Sequence, residues 1–488
     1  MASSTAHSRF TKDRVFTHEE VEALLNAAKG KTLGEVDRCG IINEAYKARK
    51  DKVVRGIAGD VIEVSVLGCK RDSYPEPDIL IDNVQTELKT TGVQKPKRKG
   101  EQEYEAKEPL TITGVAPDTI VKEDFYHSRF YHKLEHLLFV FYHYSLDRTA
   151  YNSLDYLDFL ILGYLFWEVP QDELETLKND WLLVKEFVKH YKFDNEEERH
   201  KLKNNLMLID YASPNQPRFR FKRTYVSTIV DTFLRKEKLA TLPKKITKYS
   251  YLDKKCKQFT EQYRGRTIDE ISAALNINVD GKDACQRIIV RMFDGYASSL
   301  NQIQDFNAIG LIAKTVILTS EGKRTEDTKM FGVDFAEFLQ KDITFGEQEG
   351  TSDYSNMYSY FAEHSFIFII FEEPYEGKDI PLGKCKFKGF KRISFDEKFI
   401  FNDVYNCWND ARNLVFNNEL KEERSGGGYA PNFPKSKDYN VFFRGSGKDA
   451  TDKKPLLKEW GIDINMYSQW VWVKGTYIVN MLNSQPYL

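Results

Sequence analysis

The sequence predicts an α/β protein with two tandem domains, each a mixed β-sheet flanked by helices. Three observations lead to this prediction. Apolar runs typical of strands alternate with segments of helical periodicity, which favours sheets covered by helices. The length of 488 residues is sufficient for two or three domains. Short segments of the first half recur in the same order in the second half, which indicates an internal repeat.

Helix and strand signals are clearest in the first half of the chain. Thr17 followed by Glu20 has the spacing of a capping box and predicts the start of a helix. Helical patterns and apolar runs typical of buried strands follow. The helices are predicted at 56–67 and 173–191, and the strands at 137–142 and 206–209.

Three pairs of segments indicate the repeat. They are 30–36 with 265–271, 87–90 with 312–315, and 219–226 with 471–478. Each match is short, and coincidence is the alternative explanation. The repeat predicts one domain over residues 1–235, a polar linker over 236–250, and a second domain over 251–488.

Composition excludes some classes of protein. No apolar run reaches the roughly 20 residues of a membrane span, and the first residues lack the apolar core of a signal peptide, so we expect a cytoplasmic protein without membrane contacts. The six cysteines have no spacing typical of a metal site or disulfide framework. The net charge of -2 does not by itself indicate nucleic-acid binding, although local basic clusters remain compatible with it.

The segment 78–89 is the most informative part of the chain. An apolar run, an Asp-Asn pair and an alternating segment predict a β-hairpin. If the pair forms a two-residue turn, Ile81 faces Val84 and Asp78 lies opposite Glu87. Two like charges so placed repel each other, and a divalent cation between them would relieve the repulsion. Lys89 falls on the same face as Glu87 because strand side chains alternate.

Two acids and a lysine on one strand face are consistent with metal-dependent cleavage of phosphodiester bonds. A solvated strand face is the alternative, because the chain is 30% charged. The repeat bears on this choice: Ile312 stands where the first copy has Glu87, and Val290 stands where it has Glu63. An apolar side chain cannot bind magnesium, so we expect the second copy to be catalytically silent.

The chain resembles the MutH family of the PD-(D/E)xK nucleases, in particular its duplicated Sau-three-AI branch of GATC-specific type II restriction endonucleases. The specific part of the resemblance is a glycine four residues before Glu63, followed by Asp78 and the Glu87-Leu88-Lys89 motif. Further matching segments are 55–63, 77–78, 132–134, 180–181 and 217–222.

The resemblance implies two restriction-endonuclease-like folds and Mg²⁺ as the cofactor. Asp78 and Glu87 would bind the metal, Lys89 would lie beside the attacked phosphate, and Glu63 would complete the site as a ligand or by orienting water. Arg55 stands where relatives often have a lysine, and it would bind phosphate.

Base reading departs from the family pattern, because the first copy lacks the expected Arg-Pro-Lys stretch. We expect Arg444 and Lys448 of the second copy to contact DNA instead, since arginine commonly reads guanine in the major groove. Arg220 and Trp472 occupy equivalent positions and would line the groove. The remaining predicted contacts are to the DNA backbone. They are Lys133, Lys222 and Lys474.

The sequence therefore predicts a Mg²⁺-dependent type II restriction endonuclease that cuts double-stranded DNA at GATC. Its partners would be DNA, a second copy of the chain on DNA, and a cognate DNA methyltransferase. Two alternatives are a methyl-directed nicking endonuclease of mismatch repair and a non-catalytic DNA-binding protein on a nuclease fold. Zinc binding by the histidines of residues 127–143 is a weaker interpretation, because no HExxH motif is present.

Overall fold

The chain divides into two compact units. In a computed structural model, the described residues are 11–50, 54, 56–70, 77–96, 102–146, 150–212, 215–277, 284–323, 326–341, 343–347, 354–377, 380–425 and 428–488. The first unit takes its described residues from 1–95 and 102–236, and the second contains those of 237–488. Helices and strands are interspersed along both units, and the strands form sheets, so the mixed α/β class is confirmed.

The elements of the first unit follow in chain order. Its strands are β1 (Val15–Phe16), β2 (Ile79–Ile81), β3 (Val84–Gln94), β4 (Glu105–Ala106), β5 (Leu110–Gly114), β6 (His136–His143), β7 (Ile161–Glu168), β8 (Ile209–Ala212) and β9 (Pro217–Phe221). Its α-helices are α1 (His18–Ala28), α2 (Leu33–Val36), α3 (Ile41–Ala48), α4 (Ile57–Asp60), α5 (Pro117–Ile120), α6 (Arg129–Leu134), α7 (Gln171–His190), α8 (Glu196–Lys203) and α9 (Arg223–Leu234).

The main sheet of the first unit has the order β1-β2-β3-β6-β7, with β4 paired to the far end of β3. Strand β6 is parallel to β3 and antiparallel to β7. Its residues Leu137–Tyr142 are all buried, which explains the unbroken apolar run, because a central strand covered on both faces does not alternate. The buried strand predicted over 137–142 is confirmed.

The predicted hairpin is also confirmed. Ile81 pairs with Val84 and Ile79 with Thr86, so the turn contains two residues. These are Asp82 and Asn83, whose φ angles of 46° and 69° lie in the left-handed region. A turn with two such residues matches the right-handed twist of the strands, and Asp and Asn tolerate this conformation better than most residues.

The helix predicted over 56–67 forms with a change of geometry. It begins as α4 and continues as the π-helical segment Val61–Val66, which contains Glu63. Segments of this kind are rare and frequently occur at functional sites. The predicted capping box of Thr17 and Glu20 is present at the start of α1. The helix predicted over 173–191 is α7.

The strand predicted over 206–209 was wrong for most of its length, because β8 begins only at Ile209. The backbone N–H groups of Met207 and Leu208 donate to the buried carboxylate of Asp180 and not to a neighbouring strand. Strand β8 then pairs with β9, and β9 pairs with β5, all antiparallel. These strands form the second sheet of the unit.

The second unit has its own elements and core. Its strands are β10 (Leu311–Leu318), β11 (Thr328–Gly332), β12 (Ser365–Glu372), β13 (Lys386–Ile393), β14 (Glu422–Ser425), β15 (Gly428–Pro431), β16 (Val441–Ser446) and β17 (Ser468–Val473). Its α-helices are α10 (Tyr249–Tyr263), α11 (Ile268–Ala274), α12 (Ala284–Met292), α13 (Gln304–Ala308), α14 (Ala336–Leu339), α15 (Asn356–Ala362), α16 (Glu397–Phe399), α17 (Tyr405–Phe416) and α18 (Gly475–Asn483).

The two units have the same order and direction of strand pairing in two of their sheets. Strands β10, β12 and β13 have the order and directions of β3, β6 and β7. Strands β11, β17 and β16 have those of β5, β9 and β8. Each unit also has a capping box shortly after a glycine in the left-handed conformation. Thr32 follows Gly30 in the first unit, and Thr267 follows Gly265 in the second.

The segment predicted as a linker over 236–250 packs against the second unit. Ala240 forms a β-bridge with Ile303, and the N–H of Leu242 donates to the carboxylate of Asp305 at 2.8 Å. Helix α10 begins at Tyr249. All six cysteines are free thiols. Among the described residues, no helix has the length and apolar character needed to cross a membrane.

Candidate active site

The hairpin of β2 and β3 brings the two predicted metal ligands together. Asp78 immediately precedes β2, and one of its carboxylate oxygens accepts the backbone N–H of Leu88 at 2.8 Å. This bond ties Asp78 to the residue next to Glu87. The pKa of Asp78 is raised to about 7, first by burial and second by the negative charge of Glu87. The predicted juxtaposition of Asp78 and Glu87 is therefore present.

Glu87 is enclosed by two lysines. Its side chain is 3% exposed, and its Oε1 accepts a hydrogen bond from Lys89 Nζ at 2.7 Å. Lys133 Nζ, from helix α6, lies 2.9 Å from both carboxylate oxygens. A buried carboxylate needs such partners, because an uncompensated charge in the interior is strongly destabilising. Lys133 thus lies in the acidic site, whereas the sequence had indicated only a contact to the DNA backbone.

Glu63 is held by an arginine that the sequence analysis did not identify. Arg14 Nη2 lies 2.5 Å from Glu63 Oε1, and Nη1 donates to the backbone carbonyl of Asp78 at 2.7 Å. Burial is the largest cause of the raised pKa of both Asp78 and Cys69, and the nearby negative charge of Glu63 raises both further. Glu63, Asp78 and Glu87 therefore belong to one electrostatic cluster.

The donor set suits a hard cation. Asp78 and Glu87 offer carboxylate oxygens, and Mg²⁺ is commonly bound through one or two carboxylates together with substrate phosphate. Across the described ranges, no group of three or more His, Cys, Asp or Glu side chains is arranged to hold a metal ion. The Glu63 carboxylate contacts Arg14 beside the two proposed ligands. His127 and His136 pair with separate acids, Asp124 and Glu168.

Two residues of the first unit that are predicted to contact DNA, Arg220 and Lys222, have intramolecular partners. Arg220 makes two hydrogen bonds to the carboxylate of Asp210, at 2.8 and 3.0 Å. Lys222 Nζ donates to the carbonyl of Leu206 at 2.5 Å, next to the segment that Asp180 secures. Arg55 lies outside the described residues. The roles of these residues toward DNA stay predictions.

The predicted contacts of the second unit lie on and beside one sheet. Arg444 on β16 is 44% exposed, is packed over the rings of Phe442 and Trp472, and pairs with Asp327 at 2.5 Å. Lys448 is exposed shortly after β16. Lys474 immediately precedes α18. An exposed arginine supported by aromatic rings can exchange one anionic partner for another, because guanidinium binds carboxylate and phosphate alike.

The positions that the sequence comparison matches to Glu87 and Glu63 hold apolar residues in the second unit. Ile312 on β10 packs against the apolar core, and Val290 is buried in α12. Lys314, the counterpart of Lys89, donates to the carbonyls of Lys329 and Met330 at 2.8 and 3.1 Å. Burial of its amine, together with the charge of Lys329, lowers the pKa of Lys314 to about 7. In the second unit this lysine binds backbone carbonyls, because Ile312 stands where the first unit has Glu87.

Comparison with known proteins supports a nuclease assignment for the first unit. The family described as DNA mismatch repair enzyme MutH matches residues 67–180. This range contains Asp78, Glu87, Lys89 and Lys133, and it ends at Asp180. No curated protein matches the chain. The chain thus contains a MutH-like nuclease domain, which suggests a DNA endonuclease and a DNA substrate.

Proposed function

We propose that the protein is a Mg²⁺-dependent type II restriction endonuclease that hydrolyses phosphodiester bonds of double-stranded DNA at GATC. The observation that carries the proposal is the cluster of Asp78, Glu87 and Lys89 on one hairpin, inside the range that matches the MutH family. The GATC target and the restriction role rest on the resemblance to the duplicated branch of that family.

Asp78 and Glu87 would hold the metal ion, with Glu63 available at the edge of the site. Bound Mg²⁺ supplies a Lewis acid that neutralises phosphate charge and lowers the pKa of a bound water. Lys89 and Lys133, which contact Glu87 in this structure, would offer their two ammonium groups to the phosphate. Such preplaced cations stabilise the negative charge that develops as the phosphodiester is attacked.

The second unit is proposed to be a catalytically silent copy that reads DNA. Its strand pairing repeats that of the first unit, and Ile312 stands where the first copy has Glu87, the proposed metal ligand. Arg444 and Lys448 would contact bases, with Trp472 beside them. Lys474 would contact phosphate, as would Arg55 and Lys222 of the first unit, and Arg220 would line the groove. A silent DNA-reading copy suits a restriction enzyme better than a repair nickase, which needs one domain.

A nicking endonuclease is the second candidate, because each chain offers one acidic cluster of this kind in the repeated strands. A single cluster cuts one strand at a time, so cleavage of both strands requires either a second copy of the chain on DNA or two successive nicks. In a restriction system, a cognate DNA methyltransferase would protect host sites. A DNA-binding protein without activity is the third candidate.

The test is digestion of one plasmid, with or without adenine methylation at GATC, in Mg²⁺ and in EDTA. Linear fragments ending at GATC that appear only with Mg²⁺ support the restriction activity, and the methylated plasmid shows whether this mark protects. Nicked circles alone support the nickase. Bound but intact DNA in both metal conditions supports the non-catalytic protein and contradicts the proposal.

A further inference from the structure

We infer that Arg14 is a positioning residue for the metal site, an inference that rests on the proposed function. Its guanidinium lies 2.5 Å from the carboxylate of Glu63 and 2.7 Å from the carbonyl of Asp78, and it also donates to the carbonyl of Lys70. Arg14 therefore joins the π-helical segment to the start of β2. Those two elements carry two of the three acids.

The N-terminal segment is built to deliver this side chain. Residues Lys12–Arg14 form a 3₁₀ turn that leads into β1, and β1 pairs in parallel with β2 through Val15 and Leu80. Because of this register, Arg14 lies beside Ile79, next to Asp78. The edge strand thus holds the arginine against the acidic cluster through backbone pairing, independently of the acids themselves.

A second contact fixes the same segment. The carboxylate of Asp13 accepts the N–H of Lys70 at 2.8 Å, and this hydrogen bond lowers the pKa of Asp13. Arg14 binds the carbonyl of the same residue. Lys70 is therefore held through both its backbone N–H and its backbone carbonyl. The preceding residue, Cys69, donates its N–H to the carbonyl of Glu63 at 3.0 Å. The side chains of Asp13 and Arg14 thus contact the acids and Lys70, the residue after Cys69.

Burial explains why these contacts matter for metal binding. The Arg14 side chain is 6% exposed and that of Glu63 is 20% exposed, so neither group is free to sample many rotamers. A charge-assisted bond in such a place is stronger than one in water. Partners that orient metal-binding carboxylates typically contribute 10–100-fold to metal affinity. Arg14 presents Glu63 and fixes the Asp78 backbone without taking part in bond cleavage.

The test compares Arg14→Gln and Arg14→Lys with the wild-type chain and with Arg38→Gln. Arg38 is a matched control because it donates to the carbonyls of Ser65 and Val66, in the same π-helical segment, without contacting an acid. Two measurements are made on each full-length protein. One is Ca²⁺ binding by calorimetry, and the other is the Mg²⁺ concentration that gives half-maximal plasmid cleavage. Thermal melting reports whether each variant is folded.

We expect Arg14→Gln to weaken Ca²⁺ binding about tenfold and to raise the half-maximal Mg²⁺ concentration similarly, with a smaller change in the rate at saturating Mg²⁺. Arg14→Lys should recover part of the affinity. Arg38→Gln should lower the melting temperature and leave metal binding unchanged.

Unchanged or tighter Ca²⁺ binding in Arg14→Gln overturns the inference, as does an equal loss of affinity in Arg38→Gln. A wild-type chain that cleaves DNA while Arg14→Gln behaves normally refutes only the role of Arg14. A wild-type chain that neither binds Ca²⁺ nor cleaves DNA refutes the proposed function and this inference with it.

Discussion

Strand β3 of the first unit and strand β10 of the second have the same neighbours and different side chains. Each is parallel to the next strand of its sheet, and that strand is antiparallel to a third. On β3, Glu87 holds Lys89 and Lys133; on β10, Ile312 joins the apolar core and Lys314 turns to backbone carbonyls. The fold therefore depends on backbone pairing and apolar burial, and the chemistry depends on a few charged positions.

The largest expected effect on cleavage comes from comparing substitutions at matching positions of β3 and β10. Glu87→Gln keeps the size of the side chain and removes its charge, so the proposed metal site loses a ligand and cleavage should fall about 10³-fold or more. Ile312→Gln places the same side chain at the matching position of the second unit. Cleavage should stay within about threefold of the wild-type rate, because Ile312 does not contribute to the transition-state stabilisation. Plasmid cleavage gives both values.

Circular dichroism shows whether both of these variants are folded. Loss of folding in Glu87→Gln would assign this carboxylate a structural role. An equal loss of cleavage in a folded Ile312→Gln would show that the second unit is not catalytically silent.

The second prediction compares an aspartate on each of two long helices, the buried Asp180 on α7 and the half-buried Asp410 on α17. Asp180 accepts the N–H groups of Met207, Leu208 and Ile209 at 2.8–3.1 Å. Asp410 instead accepts the hydroxyl of Tyr439 at 2.5 Å. Asp180→Asn places an amide donor near backbone donors, and we expect it to lower the free energy of unfolding by about 2–3 kcal/mol.

Tyr439→Phe removes one hydrogen bond from the second unit and should lower the free energy of unfolding by about 1 kcal/mol. Urea denaturation measures both changes. If Tyr439→Phe lowers the free energy of unfolding as much as Asp180→Asn does, the prediction is contradicted. The backbone contacts of Asp180 would then contribute no more to stability than one side-chain hydrogen bond.

The third prediction compares two arginines toward DNA. Arg444 is 44% exposed and Arg220 is 12% exposed in its paired contact with Asp210. Arg444→Gln should weaken binding of a GATC duplex in Ca²⁺ about tenfold, within the range of a single base contact. Arg220→Gln should mainly lower stability, because it leaves Asp210 without its bidentate partner. Fluorescence anisotropy with intact and altered GATC duplexes measures the difference.

If Arg220→Gln weakens DNA binding more than Arg444→Gln, base reading lies in the first unit. Equal weakening by Arg444→Gln on both duplexes would assign Arg444 to the DNA backbone and remove it from base recognition.

The last prediction concerns the pH dependence of stability that Lys314 causes. Its pKa is about 7 in the folded chain and 10.5 in the absence of burial, so unfolding takes up a proton between these pH values. Stability relative to Lys314→Met should therefore rise with pH from about 7 to about 10, by roughly 1 kcal/mol per pH unit. Below pH 7 the difference should be constant. Urea denaturation at several pH values measures it, and a flat difference across the range would contradict a buried neutral amine.

Local patterns determined much of the candidate site. The Asp-Asn turn and the alternation of β3 placed Asp78, Glu87 and Lys89 together, because turn chemistry and strand period act over a few residues. The capping box at Thr17 and the apolar run of β6 were equally readable. The segment 206–209 was misread, because its N–H groups bond to Asp180, a partner 27 to 29 residues away.

The sequence by itself determined the α/β class, the hairpin with its acids, and the similarity between the two halves. Only the tertiary structure decided that Lys133, 46 residues from Glu87, and Arg14, 49 residues from Glu63, complete the acidic cluster. The family resemblance had indicated Lys133 only as a DNA contact, and no local pattern predicted that Lys133 or Arg14 contacts an acid. Their contacts arise from the packing of α6 and β1 against the hairpin, where buried carboxylates require cations as partners.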